Sequence, residues 1–148
     1  MTTNTQTIFD VYYSEYNSYL PYFPKTTAAS MAYQGASIYF ASMVHGGGEW
    51  DFKTVIGWDS TKICYISSCY GYPGGRYYVL RGEDIGNIHF GYVGSTLFSP
   101  ATLLTAAGFV QILSGTSELS WYNSYFDDPN DQAAIQRGIN YFNTGYFN

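Results

Sequence analysis

Apolar side chains recur at helical spacing near the start of the chain. Between Thr5 and Leu20, every third or fourth position is apolar, which predicts an amphipathic helix that Pro21 ends. A second helix is predicted from about Ala28 to Val44, capped by Thr26 or Thr27 and ended by three glycines. Its expected buried positions are Met31, Ile38, Phe40 and Met43.

The middle of the chain, residues 49–94, has short β-branched and aromatic runs separated by turn residues. The runs are Thr54–Trp58, Lys62–Ser67, Arg76–Leu80 and Ile88–Val93. Runs of this length and composition predict strands. We therefore expect a small irregular antiparallel sheet or a pair of hairpins in this part.

Two further helices begin with clear start signals. Ser99 and Pro100 fit the N-cap and first positions of a helix that ends at Gly115. Asp128 and Pro129 repeat this arrangement, followed by the apolar stripe Ile135, Ile139 and Phe142. Asp128 and Asp131 suit a helix N-terminus, whereas Asp127 has no evident structural role.

These elements predict an α+β fold, with helices at both ends around a small irregular antiparallel β insert. The layout is loosely similar to that of lysozyme-like enzymes, a likeness of fold alone. We expect one domain over residues 1–148, in which residues 1–25 form a helical N-terminal extension and residues 26–148 form the core.

Composition narrows the classes of function. The chain is 46% hydrophobic and 11% charged, and 17 tyrosines make up much of its 20% aromatic content, so tyrosine must cover surface as well as fill the core. Six basic against eleven acidic residues give a net charge of -5. Because phosphate backbones attract basic surfaces, we expect no DNA partner, although a local basic spot would still allow an RNase.

Neither a membrane span nor a Sec signal is predicted. The most apolar run, residues 28–44, is interrupted by Gln34, Gly35 and three serines, which favours a core helix over membrane insertion. The N-terminus has no charged region, apolar region and cleavage site in succession. The expectation is that the chain stays in the cytoplasm or is exported by another system.

Cys64 and Cys69 are separated by four residues. They could form a disulfide across a tight hairpin in an oxidising compartment, or remain unpaired thiols, which we favour. A zinc site would need two more ligands, and His45 and His89 show no ligand spacing. No metal or other cofactor is expected.

Two polar clusters carry candidate chemistry. The first, Glu49 to Lys53, places carboxylates beside Trp50, where desolvation disfavours the charged form of an acid. Alternatively, this segment is a flexible linker whose charged side chains are solvated and have no catalytic role. The second, residues 81–94, sets Asp84, Asn87 and His89 among four glycines. It could form a site, or a glycine-rich hairpin whose polar side chains bond within turns.

Four segments, in this order, resemble the bacterial polymorphic toxin type 44 family. They are Gly48–Lys53, Glu83–Gly91, Ala106–Gln111 and Asp127–Gln132 followed by Ile135 and Gly138, and they span about residues 45–142. Ala106 stands where the family commonly has glycine. The resemblance implies an antibacterial effector domain, usually part of a larger exported protein, with a cognate immunity protein. The residues carried over are Asp51, Lys53, Asp84, Asn87, Asp127 and Gln132.

A glycan hydrolase needs two carboxylates and aromatic rings that stack on sugars. The candidate catalytic residues are Glu49, Asp51, Asp84, Asn87 and His89. Glu49 would be the general acid, Asp84 or Asp51 the second carboxylate, and Asn87 and His89 would orient the substrate. The candidate substrate-binding residues are Trp50, Lys53, Tyr92, Asp127 and Gln132.

The family resemblance also implies an RNase. An RNase without a metal needs a general base and a general acid near a cation, for which the candidates are His89, His45 and Lys53 or Arg81. Six cations in the whole chain weigh against that reaction, so we favour muramidase-like cleavage of peptidoglycan in the periplasm after secretion or delivery into a target cell. A third alternative is a non-enzymatic, tyrosine-rich carbohydrate-binding or interaction module.

Overall fold

A computed structural model describes residues 1–52, 63–65 and 79–147, and these ranges are built mainly from helices. The helices are α1 (Thr2–Tyr19), α2 (Lys25–Val44), α3 (Gly82–Gly94), α4 (Pro100–Ser114) and α5 (Pro129–Asn143). A 3-10 helix, Leu119–Ser124, connects α4 to α5. Within the described ranges, no helix has both the length and the apolar character to cross a membrane.

Two short strands accompany the helices in the described part of the chain. β1 (Ile63–Tyr65) and β2 (Val79–Arg81) pair antiparallel, with Ile63 opposite Arg81. They coincide with parts of two predicted strands, while the predicted strand Thr54–Trp58 and Cys69 lie outside the described residues. A three-residue ribbon does not make a sheet layer, so the architecture is that of a helical fold.

The α+β prediction, with its lysozyme-like layout, is therefore wrong. Its largest error is the predicted strand Ile88–Val93, which lies inside α3. Ile88 and Tyr92 are one helical turn apart and both are buried, as the apolar face of a helix requires. The glycines that suggested turns instead let α3 approach its neighbours closely.

α3 and α5 pack with their backbones in near contact. A methyl group at Gly91 would overlap the Ile135 carbonyl oxygen, and one at Gly138 would overlap the Ile88 carbonyl oxygen. Each glycine thus lies against the backbone of the other helix. Tyr92 and Val93 of α3 join Ile8 and Phe40 in the main core, and Ile135 packs with Leu103 and Ile139 beside it.

α1 and α2 form the other main helix pair. The buried stripe of α2 consists of three alanines, Ala28, Ala32 and Ala36, and of Phe40. The predicted burial of Ile38 is wrong, because that side chain is 71% exposed. The helix also begins earlier than predicted, at Lys25, so that the proposed caps at positions 26 and 27 lie within its first turn.

The predicted starts of α4 and α5 are confirmed. The Thr102 backbone N–H donates to Ser99 Oγ across 3.2 Å, and the Asn130 backbone N–H donates to Asp128 Oδ1 across 2.7 Å. The C-cap of α4 is Gly115, as predicted, and its φ of 71° is the left-handed conformation that glycine adopts readily. The predicted division into an extension and a core stays a prediction.

Candidate functional site

A cavity of about 630 Å³ lies among α2, α3, α4 and α5. Its volume is within the range of roughly 300–1,000 Å³ that is common for small-molecule sites. All four motif segments of the sequence contribute to its wall. Their contributions are Trp50, Asp51, Phe52, Gly86, Asn87, Phe90, Ala106, Ala107, Val110, Gln111, Asp127, Asp131 and Ile135.

The wall combines acidic and aromatic groups. The described carboxylates are Asp51, Asp127 and Asp131, and two amides, Asn87 and Gln111, lie among them. The aromatic rings that complete the wall are those of Phe40, Trp50, Phe52, Phe90 and Phe98. Among residues 1–52, 63–65 and 79–147, no three His, Cys, Asp or Glu side chains are grouped so as to hold a metal ion.

Asp127 is the buried carboxylate of the cavity, with 2% of its surface exposed. Gln132 Nε2 donates to Asp127 Oδ2 across 2.8 Å and to the Leu104 carbonyl oxygen across 2.9 Å. The backbone of Asp127 is held as well, because Ser124 Oγ donates to its carbonyl oxygen across 2.6 Å. The carboxylate therefore has a fixed position between α4 and α5.

The turn before Asp127 has an uncommon backbone conformation. Tyr125 and Phe126 have φ values of 57° and 67°, a region that side-chain-bearing residues rarely occupy. The turn lies directly against α4, where a methyl group at Gly108 would overlap the Tyr125 carbonyl oxygen. Gly108, in the third motif segment, thus makes room for the turn that places Asp127, in the fourth.

Asp51 is positioned by the turn that follows α2. The Gly47 backbone N–H donates to Asp51 Oδ2 across 2.9 Å, and Gly47 has a φ of 83°. The Trp50 backbone N–H donates to the Met43 carbonyl oxygen across 2.8 Å, which closes the turn against the end of the helix. As a result Asp51 faces the cavity, whereas its neighbour Glu49 is exposed and outside the cavity lining.

His89 is buried outside the cavity lining, with 1% exposed surface. Asn4 Nδ2 lies 2.9 Å from His89 Nε2, and the rings of Trp50 and Phe52 contact the imidazole edge to face. Burial and, to a smaller extent, the positive N-terminus lower the pKa of His89 to about 3. The imidazole is neutral at pH 7, and its Nδ1 has no hydrogen-bond partner in the described part of the chain.

The remaining predicted residues lie in different surroundings. Asp84 is half-buried in the first turn of α3, outside the cavity lining. Tyr92 is a core residue whose ring contacts Phe142 and Phe147, and burial raises the pKa of its hydroxyl. Lys53 lies outside the described residues. The structure thus brings Asp51, Asn87 and Asp127 of the predicted set to one cavity, with Trp50 in its wall and Gln132 behind it.

Two polar lining residues were missed from the sequence. Asp131 was assigned only to the start of α5, yet it lies both in the first helical turn and in the cavity wall. Gln111 closes the third motif segment and was given no role. The sequence held one signal for both residues, because each lies one helical turn from an apolar motif residue and therefore on the same face of its helix. Gln111 follows Ala107 by four residues, and Asp131 precedes Ile135 by four.

The comparison with protein families agrees with this convergence. The chain is similar to the family described as Bacterial toxin 44 over residues 39–144, more than two thirds of its length. This range holds α3, α4, α5 and every cavity-lining residue except Ser37. No curated protein and no solved structure matches the chain.

Proposed function

The chain belongs to the bacterial toxin 44 family, and from that membership and the chemistry of the cavity we propose that it is a toxin hydrolase that cleaves glycan strands of peptidoglycan. The observation that carries the proposal is the group of three carboxylates, Asp51, Asp127 and Asp131, in a cavity with aromatic walls. Membership also indicates a cognate immunity protein and delivery into target cells. The proposed site of action is the cell wall.

Hydrolysis of a glycosidic bond requires a proton donor for the leaving oxygen and a carboxylate at the anomeric carbon. We assign the carboxylate to Asp127, because the hydrogen bond from Gln132 fixes its position beside the cavity. We assign proton donation to Asp51, which approaches the cavity from a different element, the turn after α2. Asp51 thereby replaces Glu49, the general acid predicted from the sequence, because Glu49 does not line the cavity.

The described lining favours a neutral polymer over RNA. A negatively charged phosphate backbone is bound largely by Lys and Arg side chains, and neither residue type is among the described lining residues. His45 is the basic side chain among the described lining residues, and His89, the proposed acid–base group of an RNase, is buried elsewhere. Pyranose rings carry no such charge and have apolar faces that suit aromatic walls.

The proposal is tested by incubating the purified chain with cell-wall sacculi and with RNA in parallel. We expect release of soluble muropeptides, and a loss of at least about 100-fold in rate for Asp51→Asn and for Asp127→Asn, the usual scale of acid–base catalysis. Glu49→Gln and the exposed, remote Asp10→Asn are the matched carboxylate controls and should keep the wild-type rate.

Two results would contradict the assignment in different ways. Intact sacculi together with degraded RNA would overturn the glycan substrate. An inactive Glu49→Gln beside an active Asp51→Asn would return proton donation to Glu49 and reject the pairing of Asp51 with Asp127. Melting temperatures of all four variants show whether a loss of rate reflects a loss of fold.

A further inference from the structure

A second, smaller concavity of about 160 Å³ lies between α1, α2 and the segment after α3. Its walls are the rings of Phe9, Tyr12 and Tyr13 from α1 and of Tyr33 from α2, and we call it the aromatic groove. The other lining residues are Ile8, Thr96 and Leu97. None of these residues lines the larger cavity. At roughly 30 Å³ per water molecule, the groove has room for about five waters, which is the scale of one sugar ring.

The three tyrosine rings of the groove contact neighbouring groups. The Tyr33 hydroxyl donates to the Leu97 carbonyl oxygen across 3.1 Å, and its ring meets Phe98 edge to face. The Tyr12 ring is perpendicular to that of Tyr13, with 5.3 Å between their centroids. Because Tyr33 is oriented in this way before any ligand arrives, ordering its side chain on binding would cost little entropy.

The groove presents ring surface to solvent. Phe9 is 39% exposed and Tyr13 is 57% exposed, although burial of such rings would normally contribute to stability. Ile8 is the residue through which α1 joins the main core cluster. Phe9 and Tyr13 are not part of that cluster. An aromatic surface of this kind is typical of binding sites.

The chemistry of the lining selects the ligand. Among its described residues none carries a charge, so a charged ligand would lose hydration there without gaining an ion pair. A pyranose combines an apolar C–H face, which stacks on aromatic rings, with a rim of hydroxyls. The three tyrosines of the lining carry hydroxyls that can exchange hydrogen bonds with that rim.

We propose that the aromatic groove binds a neutral sugar ring and so anchors the glycan strand on the protein. That this strand is also the polymer that the protein cleaves rests on the proposed function of the larger cavity. All four aromatic residues of the groove precede residue 39, where the family match begins. The anchor gives a purpose to part of the high tyrosine content of the first two helices.

The experiment measures glycan binding separately from cleavage. Asp127→Asn, which we expect to leave the sacculi intact, is the parent for cosedimentation with sacculi. The otherwise unchanged chain is titrated with a soluble tetramer of N-acetylglucosamine. Phe9→Ala with Tyr13→Ala should weaken both interactions roughly tenfold, the loss of about 1.4 kcal/mol of ring stacking. Tyr22→Ala removes a ring that is 79% exposed and outside the groove, and should bind as the parent does.

Tyr13→Phe keeps the ring and should retain binding within about twofold, which distinguishes stacking from any role of the hydroxyl. Melting temperatures establish that the alanine variants are folded, as the exposure of both rings leads us to expect. In the titration, the ring resonances of Tyr13 should shift as the tetramer is added.

The outcomes separate this inference from the proposed function. Cleavage of sacculi together with unchanged binding by the folded Phe9→Ala, Tyr13→Ala variant would overturn the anchor and leave the hydrolase proposal standing. Binding of the tetramer at Tyr13 without any cleavage of sacculi would support the anchor and reject the hydrolase. Failure of every form to bind the tetramer or the sacculi would overturn the anchor as well.

Discussion

The side-chain amide of Gln132 fixes the carboxylate of Asp127, with 2.8 Å between Nε2 and Oδ2. The same nitrogen donates to the Leu104 carbonyl oxygen across 2.9 Å, so that both of its hydrogens are used. With two acceptors facing one nitrogen, the orientation of the amide is determined, and α4 and α5 are joined beside the cavity. Gln132 is thus a positioning residue rather than one that contacts the substrate.

Replacement of this amide should alter both rate and pH dependence. In Gln132→Met the Asp127 carboxylate loses a donor, so the acidic limb of the pH–rate profile on sacculi should move to higher pH. Loss of the two hydrogen bonds should also lower the free energy of unfolding by about 1–3 kcal/mol. Urea unfolding and rates from pH 4 to 8 measure the two effects, with Gln136→Met on the exposed face of α5 as the control. An unmoved profile in a destabilised variant would make Gln132 purely structural.

The close contact between α3 and α5 predicts that neither Gly91 nor Gly138 can be replaced by a larger residue without a large loss of stability. Gly91→Ala and Gly138→Ala would each drive a methyl group into a backbone carbonyl of the other helix, and backbone cannot move aside as a flexible side chain can. We expect the free energy of unfolding to fall by about 2 kcal/mol or more in each.

The matched control for these variants is Gly46→Ala. An added methyl group at Gly46 meets no atom within 4 Å, so its free energy of unfolding should change by less than about 0.5 kcal/mol. Gly35→Ala is an intermediate case, because only the end of the Glu15 side chain would have to move. Equal stability of the Gly91, Gly138 and Gly46 variants in urea would contradict the close helix packing.

Gly108 predicts a different kind of defect. A methyl group at this position would press on the Tyr125 carbonyl oxygen and displace the turn that precedes Asp127. In Gly108→Ala we therefore expect the rate on sacculi to fall at least about tenfold, since small misplacements of catalytic groups are costly. Gly91→Ala, matched for stability by urea titration, should lose less activity per kcal/mol of destabilisation. A Gly108→Ala variant with wild-type activity would show that the turn can relax without moving Asp127.

Helix starts were predictable because their causes are local. The side chains of Ser99 and Asp128 bond to backbone groups within three residues, and both partners are visible in a short stretch of sequence. α3 was not predictable in this way. Gly86, Gly91 and Gly94 have low helix propensity, and what stabilises the helix is its contact with α5, about 45 residues later.

The functional residues of the cavity could be predicted from the sequence only in part. Asp127 could be singled out because capping at the start of α5 did not require it. The choice between Glu49 and Asp51 could not be made, because the two carboxylates are separated by one residue. The Gly47 turn, which the hydrogen bond from the Trp50 N–H to the Met43 carbonyl oxygen closes against the end of α2, decides which of them faces the cavity.

The buried imidazole of His89 predicts a loss of stability in acid. Its pKa is about 3 in the folded protein and about 6.5 in the unfolded chain, so between these values the unfolded state binds the proton more tightly. Stability from this group is therefore complete above about pH 6.5 and falls as the pH decreases, by up to about 1.4 kcal/mol per pH unit, until about pH 3. In His89→Gln this contribution disappears, so the free energy of unfolding should depend less steeply on pH between 6 and 4 than in the wild type. His45→Gln, at an exposed position, is the control for the substitution itself. Urea unfolding at several pH values measures the difference, and parallel curves for wild type and His89→Gln would show that the imidazole accepts its proton without unfolding.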